Sequence, residues 1–284
     1  MVRLLNDAIR GLTRNQGLVG MARAFHIADA LKRCEYQLRG PCDGVVRHVI
    51  AGVEVALAAP DATAFRTLEC CYEGELDFLE ALEKKLRSGG VYYDVGSNVG
   101  CVLIPVAKIV GERGQAVGFE PQPANHEQLI KNVALNGLGN VKVFQVALGD
   151  GKGETPIYGT GPTATIVPRA AAWHGNLPVA AIPAMRGDDL REERGLPIPK
   201  AVKVDVEGAE FEVLTGLEKT LSSPRCELLC LEIHPCLVPA EVSTDMVFSL
   251  VRSLGFNRAE TRARGSEIHL VAEKVQAQLA CGLA

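Results

Sequence analysis

Hydrophobic and polar positions along this chain change their rhythm near residue 74. Before it the pattern is loose. Residues 4–31 carry a weak helical period, and 45–50 and 53–57 alternate apolar with polar around Ala51-Gly52, as a small hairpin does. After it, short apolar runs alternate with helical ones. A helix is predicted over 75–86, stopped by Ser88-Gly89-Gly90. Strands follow at 91–95, 116–120, 141–146, 202–205 and 227–233, with helices over 99–109, 124–136, 210–221 and 244–254. Two closing strands come at 256–261 and 267–272. This order predicts an α/β, Rossmann-like fold: a seven-stranded, mostly parallel sheet with helices on both faces and an antiparallel final strand. Residues 1–73 read as a helix and hairpin extension, a cap or oligomerisation segment, and 74–284 as the main domain. Within that domain, residues 149–199 are rich in Gly, Pro, Thr and Ala, with strand-like pieces at 155–158 and 179–185 and the single tryptophan, Trp173, beside His174. Such a segment is a substrate lid or a plain loop.

Composition removes several classes. The 284 residues carry a net charge of −4 and only 5% aromatics, so neither a basic footprint nor a base-stacking surface for nucleic acid is present. No apolar run reaches membrane-spanning length, and residues 1–40 lack the continuous apolar core of a secretory leader. Nine cysteines fit no disulfide framework. Cys226, Cys230, His234 and Cys236 share strand parity, but their spacing misses the usual zinc patterns, and buried strand positions explain the thiols better. Reduced thiols point to a cytoplasmic protein.

The chemistry concentrates in the run Val91-Tyr-Tyr-Asp-Val-Gly-Ser-Asn-Val-Gly100. An apolar strand ends in Asp94, and Gly96 and Gly100 then bend the backbone where a ligand must approach without a side chain between. Glu120 ends the next strand, at the spacing where a carboxylate meets ribose hydroxyls. A dinucleotide site wants G-x-G-x-x-G for a pyrophosphate; here D-x-G-x-x-x-G puts an acid where a pyrophosphate would be repelled. An acid suits a cationic ligand, and S-adenosylmethionine carries a sulfonium and an ammonium.

The segments Asp94-Val-Gly-Ser-Asn-Val-Gly100, Gly118-Phe-Glu-Pro-Gln-Pro123, Asn136-Gly-Leu-Gly-Asn-Val141, Ala147-Leu-Gly-Asp150, Lys203-Val-Asp-Val-Glu-Gly-Ala-Glu210 and Leu231-Glu-Ile-His-Pro235 closely resemble the FkbM family of class I S-adenosylmethionine-dependent methyltransferases. The resemblance covers about residues 74–272 and implies O-methylation of hydroxyls on sugars, polyketides or other secondary metabolites. It implies that Asp94, Gly96, Ser97, Asn98 and Gly100 hold the methionine end of the cofactor. Glu120 takes the ribose, with Gln122 nearby, and residues 145–147 lie against adenine. Ala147 stands where related enzymes often have an acid, which leaves adenine to backbone groups or to Asp150.

The transfer site is expected at Asp205, which also touches cofactor, with Glu207, Glu232 and His234 beside it. Clustered carboxylates and a histidine raise one another's pKa, which suits a proton acceptor near neutrality. His234 or Asp205 is the expected base, and Glu207 and Glu232 orient the hydroxyl. Mg2+ or Mn2+ at Asp205, Glu232 and His234 is the rival mechanism and is not favoured, so the expected metal set is none. Glu210 reads equally as a charge at a helix N-terminus, His126 and His269 as surface or edge positions, and Lys203 as satisfied at a sheet edge or by a nearby acid. The expected partner is a small-molecule acceptor, without nucleic acid or membrane, in a possible homodimer. Two other functions compete: an NAD(P)-dependent oxidoreductase with a degenerate glycine turn, and a non-catalytic cofactor-binding partner protein. N-methylation is a subsidiary option.

Overall fold

The computed structural model describes residues 30, 33–38, 40–87, 89–159, 163–168 and 177–275. The helical pattern over 4–31, apart from Ala30, and the Trp173-His174 pair lie outside the described residues. The chain divides into two compact units, one of residues 1–47 and 56–73, the other of residues 48–55 and 74–284. Strands β1 (Val45–Ile50) and β2 (Val53–Ala58) pair as the expected hairpin. Its turn residues Ala51 and Gly52 both take positive φ, 50° and 79°, which matches the twist a two-residue hairpin needs.

In the smaller unit, Asp61 caps helix α1 (Ala62–Gly74) by accepting from the Thr63 and Ala64 N–H groups. Phe65 on that helix meets the Tyr36 ring edge-on at 5.8 Å. Arg66 pairs with Glu35 at 2.6 Å, both largely withdrawn from water.

The larger unit is built on seven strands: β3 (Val91–Val95), β4 (Gln115–Phe119), β5 (Val141–Phe144), β9 (Ala201–Val204), β10 (Leu228–Ile233), β11 (Arg258–Arg264) and β12 (Glu267–Glu273). Their spatial order is β11-β12-β10-β9-β3-β4-β5. Pairs among β5, β4, β3, β9 and β10 are parallel, and β12 runs antiparallel to both its neighbours. The antiparallel final strand is the one the sequence pattern anticipates. The chain fills the sheet outward from β3 and then restarts at β9, on the other side of β3. A crevice therefore opens at the carboxyl ends of β3 and β9.

Period-two alternation assigns the faces. Tyr93, Val95, Val202, Val204, Leu229 and Leu231 pack against α6 (Glu210–Gly216), α7 (Glu218–Ser222) and α8 (Thr244–Ser253). Tyr92, Ala116, Ala201 and Cys230 face the other way, onto α2 (Leu76–Leu86) and α3 (Leu103–Val110), with Leu129 of α4 (Pro123–Leu135). Cys226 and Cys230 are buried, and neither is in a disulfide.

Three of the boundaries that differ from the sequence pattern have a local reason. The helix expected from residue 99 begins at Leu103, because Gly100 is still turning at φ 97°. The strand expected over 141–146 ends at Phe144, and β6 (Ala147–Gly149) leaves the main sheet. It joins β7 (Gly153–Tyr158) and β8 (Pro178–Arg186) in a second sheet of order β6-β8-β7, followed by α5 (Gly187–Glu193). The helix expected over 210–221 breaks after Gly216, where β6 comes so close that an added Cβ would lie 1.8 Å from the Gly149 carbonyl oxygen.

Candidate functional site

The turn after β3 is held from two sides. Gly96 and Ser97 both donate their N–H to Phe119 O, at 3.0 and 3.1 Å, which ties the turn to β4. The Asp205 N–H donates to Val95 O at 3.0 Å, which ties β9 to the same place. Gly96 takes φ 82°, and a Cβ there would meet Asp205 O at 1.8 Å, so only glycine fits between the two strand ends. Asn98, also left-handed at φ 49°, points its N–H at the Glu120 carboxylate, 2.7 Å away. The Gln122 N–H reaches the other carboxylate oxygen at 2.9 Å. Burial pushes Glu120 up to about 7, against the pull of these two N–H groups.

A cleft partly open to solvent runs along these elements. Gly96, Asn98, Glu120, Ala147, Asp205 and Glu207 line it. The sequence reading missed Ile157, Ala164 and Ile166, which form an apolar wall with Ala147. They come from β7 and the segment after it. No motif marks them; only the pairing of β7 with β8 places them there.

Several expected contacts stand behind the wall rather than in it. Ser97 is buried and donates its hydroxyl to Asp94 O at 2.7 Å. The Gln122 side chain caps α4 by accepting from the Asn125 N–H at 2.7 Å. Gly100 shapes the turn without facing the cleft. Asp94 is 1% exposed and lies on the opposite face of the sheet, beside Tyr92, whose hydroxyl donates to Oδ1 at 3.1 Å. Its Oδ2 has no partner, and burial pushes the carboxyl up to about 6 despite the nearby Lys203 ammonium.

Beside the cleft, β9, β10 and the N-terminus of α6 bring the expected transfer residues together. Lys203 Nζ sits 3.1 Å from Asp205 Oδ2. It is buried in a central strand, so the acid satisfies it, not a sheet edge. His234 follows β10, with Nδ1 2.7 Å from Glu210 Oε1, and Glu210 also accepts the Gly208 N–H at 2.9 Å. Glu210 is therefore more than a helix-end charge. His234 Nε2 faces Glu207, Glu232 and Asp205 at 3.7, 3.8 and 3.9 Å. Burial opposes charge on His234, but the Glu210 hydrogen bond and the surrounding carboxylates raise it to about 10. Burial raises Glu207 to about 8, opposed by His234. The expected neutral base is thus an imidazolium in the free protein, and of the two groups Glu207 titrates nearer neutrality.

Glu232 behaves differently. Burial works against its charge, yet His269, 3.3 Å away, and its other neighbours hold it near 2. His269 corrects the surface reading. It is 2% exposed, stacks on Phe78 at 4.3 Å and pairs with Asp77 at 2.9 Å. Burial opposes its charge, but Asp77 and Glu232 raise it to about 9. Glu75, just ahead of α2, is also buried among these groups, and burial lifts it to about 7 against the pull of Lys203.

Residues 94–258 match the family model described as the Methyltransferase FkbM domain. Among curated proteins, the chain is 31% identical over 170 residues to hexuronic acid methyltransferase AglP of Haloferax volcanii, covering 60% of this chain and 66% of that one. It is 27% identical over 224 residues to 31-O-demethyl-FK506 methyltransferase FkbM of Streptomyces tacrolimicus, covering 67% and 82%. A crystal structure of Methyltransferase FkbM from Methylobacillus flagellatus KT aligns at 14% identity and a TM-score of 0.47, over 74% of this chain and 59% of that one. The chain thus spans just under two thirds of the Haloferax protein and less of the crystallised one.

Proposed function

Because this chain belongs to the FkbM family of S-adenosylmethionine-dependent methyltransferases, its family domain spanning residues 94–258, we propose that it transfers a methyl group to a hydroxyl of a small-molecule acceptor. The acceptor class is a sugar, a polyketide or another secondary metabolite, in keeping with the hexuronic acid and FK506 named for two relatives. One observation carries the reading: one cleft is lined together by Glu120, the apolar wall, Asp205 and Glu207.

The residues present fit the cofactor. The glycine cradle at Gly96 leaves room for a ligand against backbone, and Glu120 offers charged acceptor lone pairs to a ribose diol. Ile157, Ala164 and Ile166 give adenine a dry surface. Bound there, S-adenosylmethionine supplies an electrophilic methyl on a cationic sulfur. Everything else falls to the chain's own side chains. Asp205 and Glu207 hold the acceptor hydroxyl, and the Glu207 carboxylate, raised to about 8 by burial, takes up its proton beside the His234 imidazolium. Glu210 fixes the orientation of His234, and Glu232 lies against its Nε2. The family membership sets the nicotinamide alternative aside.

The test has two parts. S-adenosylhomocysteine raises the melting temperature and NAD does not. On a verified acceptor, Asp205→Ala and His234→Ala lose turnover while keeping S-adenosylhomocysteine affinity. Unchanged turnover in both variants would refute the assignment of the transfer site and favour a non-catalytic role.

A further inference from the structure

We propose that Asp205, Glu207 and His234 form a binding site for one divalent transition-metal ion, Mn2+ being the best matched, at the acceptor end of the cleft. Ligand atoms of these three residues all lie within 4.8 Å of one another. The gaps from His234 Nε2 to Glu207 Oε2 and Asp205 Oδ1, 3.7 and 3.9 Å, are too long for hydrogen bonds. They are close to the roughly 3–3.6 Å between neighbouring ligands on an ion with bonds of about 2.1 Å. Closing the difference takes side-chain movements of a few tenths of an ångström.

The histidine supplies the second line of argument. Its side chain is only 5% exposed, and Nε2 faces Asp205 and Glu207, with Glu232 also beside it, all at 3.7–3.9 Å. Nδ1 is bound to Glu210, itself anchored by the Gly208 N–H. Such a partner fixes a ligating imidazole's orientation, and an ion binding here displaces the Nε2 proton of the free imidazolium. The nearby cations are directed elsewhere. Lys203 holds Asp205 Oδ2 and leaves Oδ1 toward the histidine, while Arg264 sits 3.3 Å from Glu232 Oε1. One imidazole with two carboxylates favours Mn2+ over Mg2+ or Ca2+, which prefer all-oxygen sites. Asp205 and Glu207 line the cleft, so an ion here keeps open positions for an acceptor oxygen, as catalytic sites do. Its role, to polarise and acidify the acceptor hydroxyl, rests on the methyltransferase reading; its binding does not.

The chelator-treated full chain is titrated with MnCl2 in the presence of S-adenosylhomocysteine, with free Mn2+ read by electron paramagnetic resonance. One ion binds per chain, and His234→Ala and Glu207→Gln each weaken it by at least about tenfold. Glu127→Gln, on an exposed helix face, leaves it unchanged. Circular dichroism checks that each variant is folded; if His234→Ala is not, Glu207→Gln decides, since that side chain is partly exposed. No saturable ion at millimolar MnCl2, or equal affinity in wild type and Glu207→Gln, overturns the proposal. Failure to bind S-adenosylhomocysteine would instead strike the methyltransferase reading, while leaving the Mn2+ titration readable.

Discussion

Replacing Glu120 by Gln tests the cofactor seat with the least disturbance. The amide keeps the side chain's shape and one acceptor oxygen but loses the charge. In the wild type each carboxylate oxygen holds one backbone N–H, from Asn98 at 2.7 Å and Gln122 at 2.9 Å. The amide oxygen serves only one of them, and the orphaned N–H costs about 1–3 kcal/mol. Against this, burial has raised the carboxyl from 4.5 to about 7. At pH 8 keeping it ionised in the fold therefore costs about 3 kcal/mol, at about 1.4 kcal/mol per pH unit. These terms nearly cancel, so the variant's melting temperature stays within about 4 °C of wild type. Binding does not cancel. Two hydrogen bonds from ribose hydroxyls to a carboxylate become bonds to a neutral amide, a loss of about 2–3 kcal/mol in all. Calorimetric titration with S-adenosylhomocysteine at pH 8 then gives a Kd about 30- to 150-fold weaker. The sign with pH follows. Below about 7 the wild-type carboxyl must lose a proton before it can accept both hydroxyls, so its affinity falls by up to about tenfold per pH unit. The variant shows no such slope. A variant within about threefold of wild type, or a wild-type affinity flat between pH 5.5 and 7, would refute the ribose assignment.

Three further changes probe the rest of the site. Lys203→Met removes the ammonium that sits among Asp205, Asp94 and Glu75, and stability in urea drops by about 3–5 kcal/mol; an unchanged midpoint contradicts its role as a buried counter-ion. His269 titrates at about 9 in the fold against 6.5 unfolded, so its stabilisation is full below pH 6.5 and is lost as pH rises through 9. The urea midpoint of wild type therefore falls across that window more than that of His269→Gln, and identical pH profiles rule this out. Gly96→Ala puts a methyl against Asp205 O in a left-handed backbone that costs alanine about 1–2 kcal/mol. Calorimetry on this variant shows no S-adenosylhomocysteine binding, and normal affinity would mean the turn is not the cofactor cradle.

The sequence alone determined the order of the main elements and most of the chemical inventory, because both are local. Apolar runs at strand length, helical periods between them and glycines at forced turns all survive in Val91–Val95, Gln115–Phe119, Ala201–Val204 and Leu228–Ile233. Asp205, Glu207, Glu232 and His234 sit next to strand ends in the sequence, and parallel strands bring such ends to one edge, so their convergence could be read in advance. What only the tertiary structure decided was direction and partnership. Whether a strand-end acid reaches the cleft depends on what packs over it, and that separates Glu120 and Asp205, which line it, from Asp94, buried beside Tyr92. His269 looked like an edge residue because its partners, Asp77 and Glu232, are 192 and 37 positions away and belong to other elements. The apolar wall of Ile157, Ala164 and Ile166 has no motif, since these residues meet Ala147 only in the folded chain. Local periodicity writes the elements into a sequence, but burial, charge state and the neighbour a side chain meets are set by contacts between residues far apart in the chain.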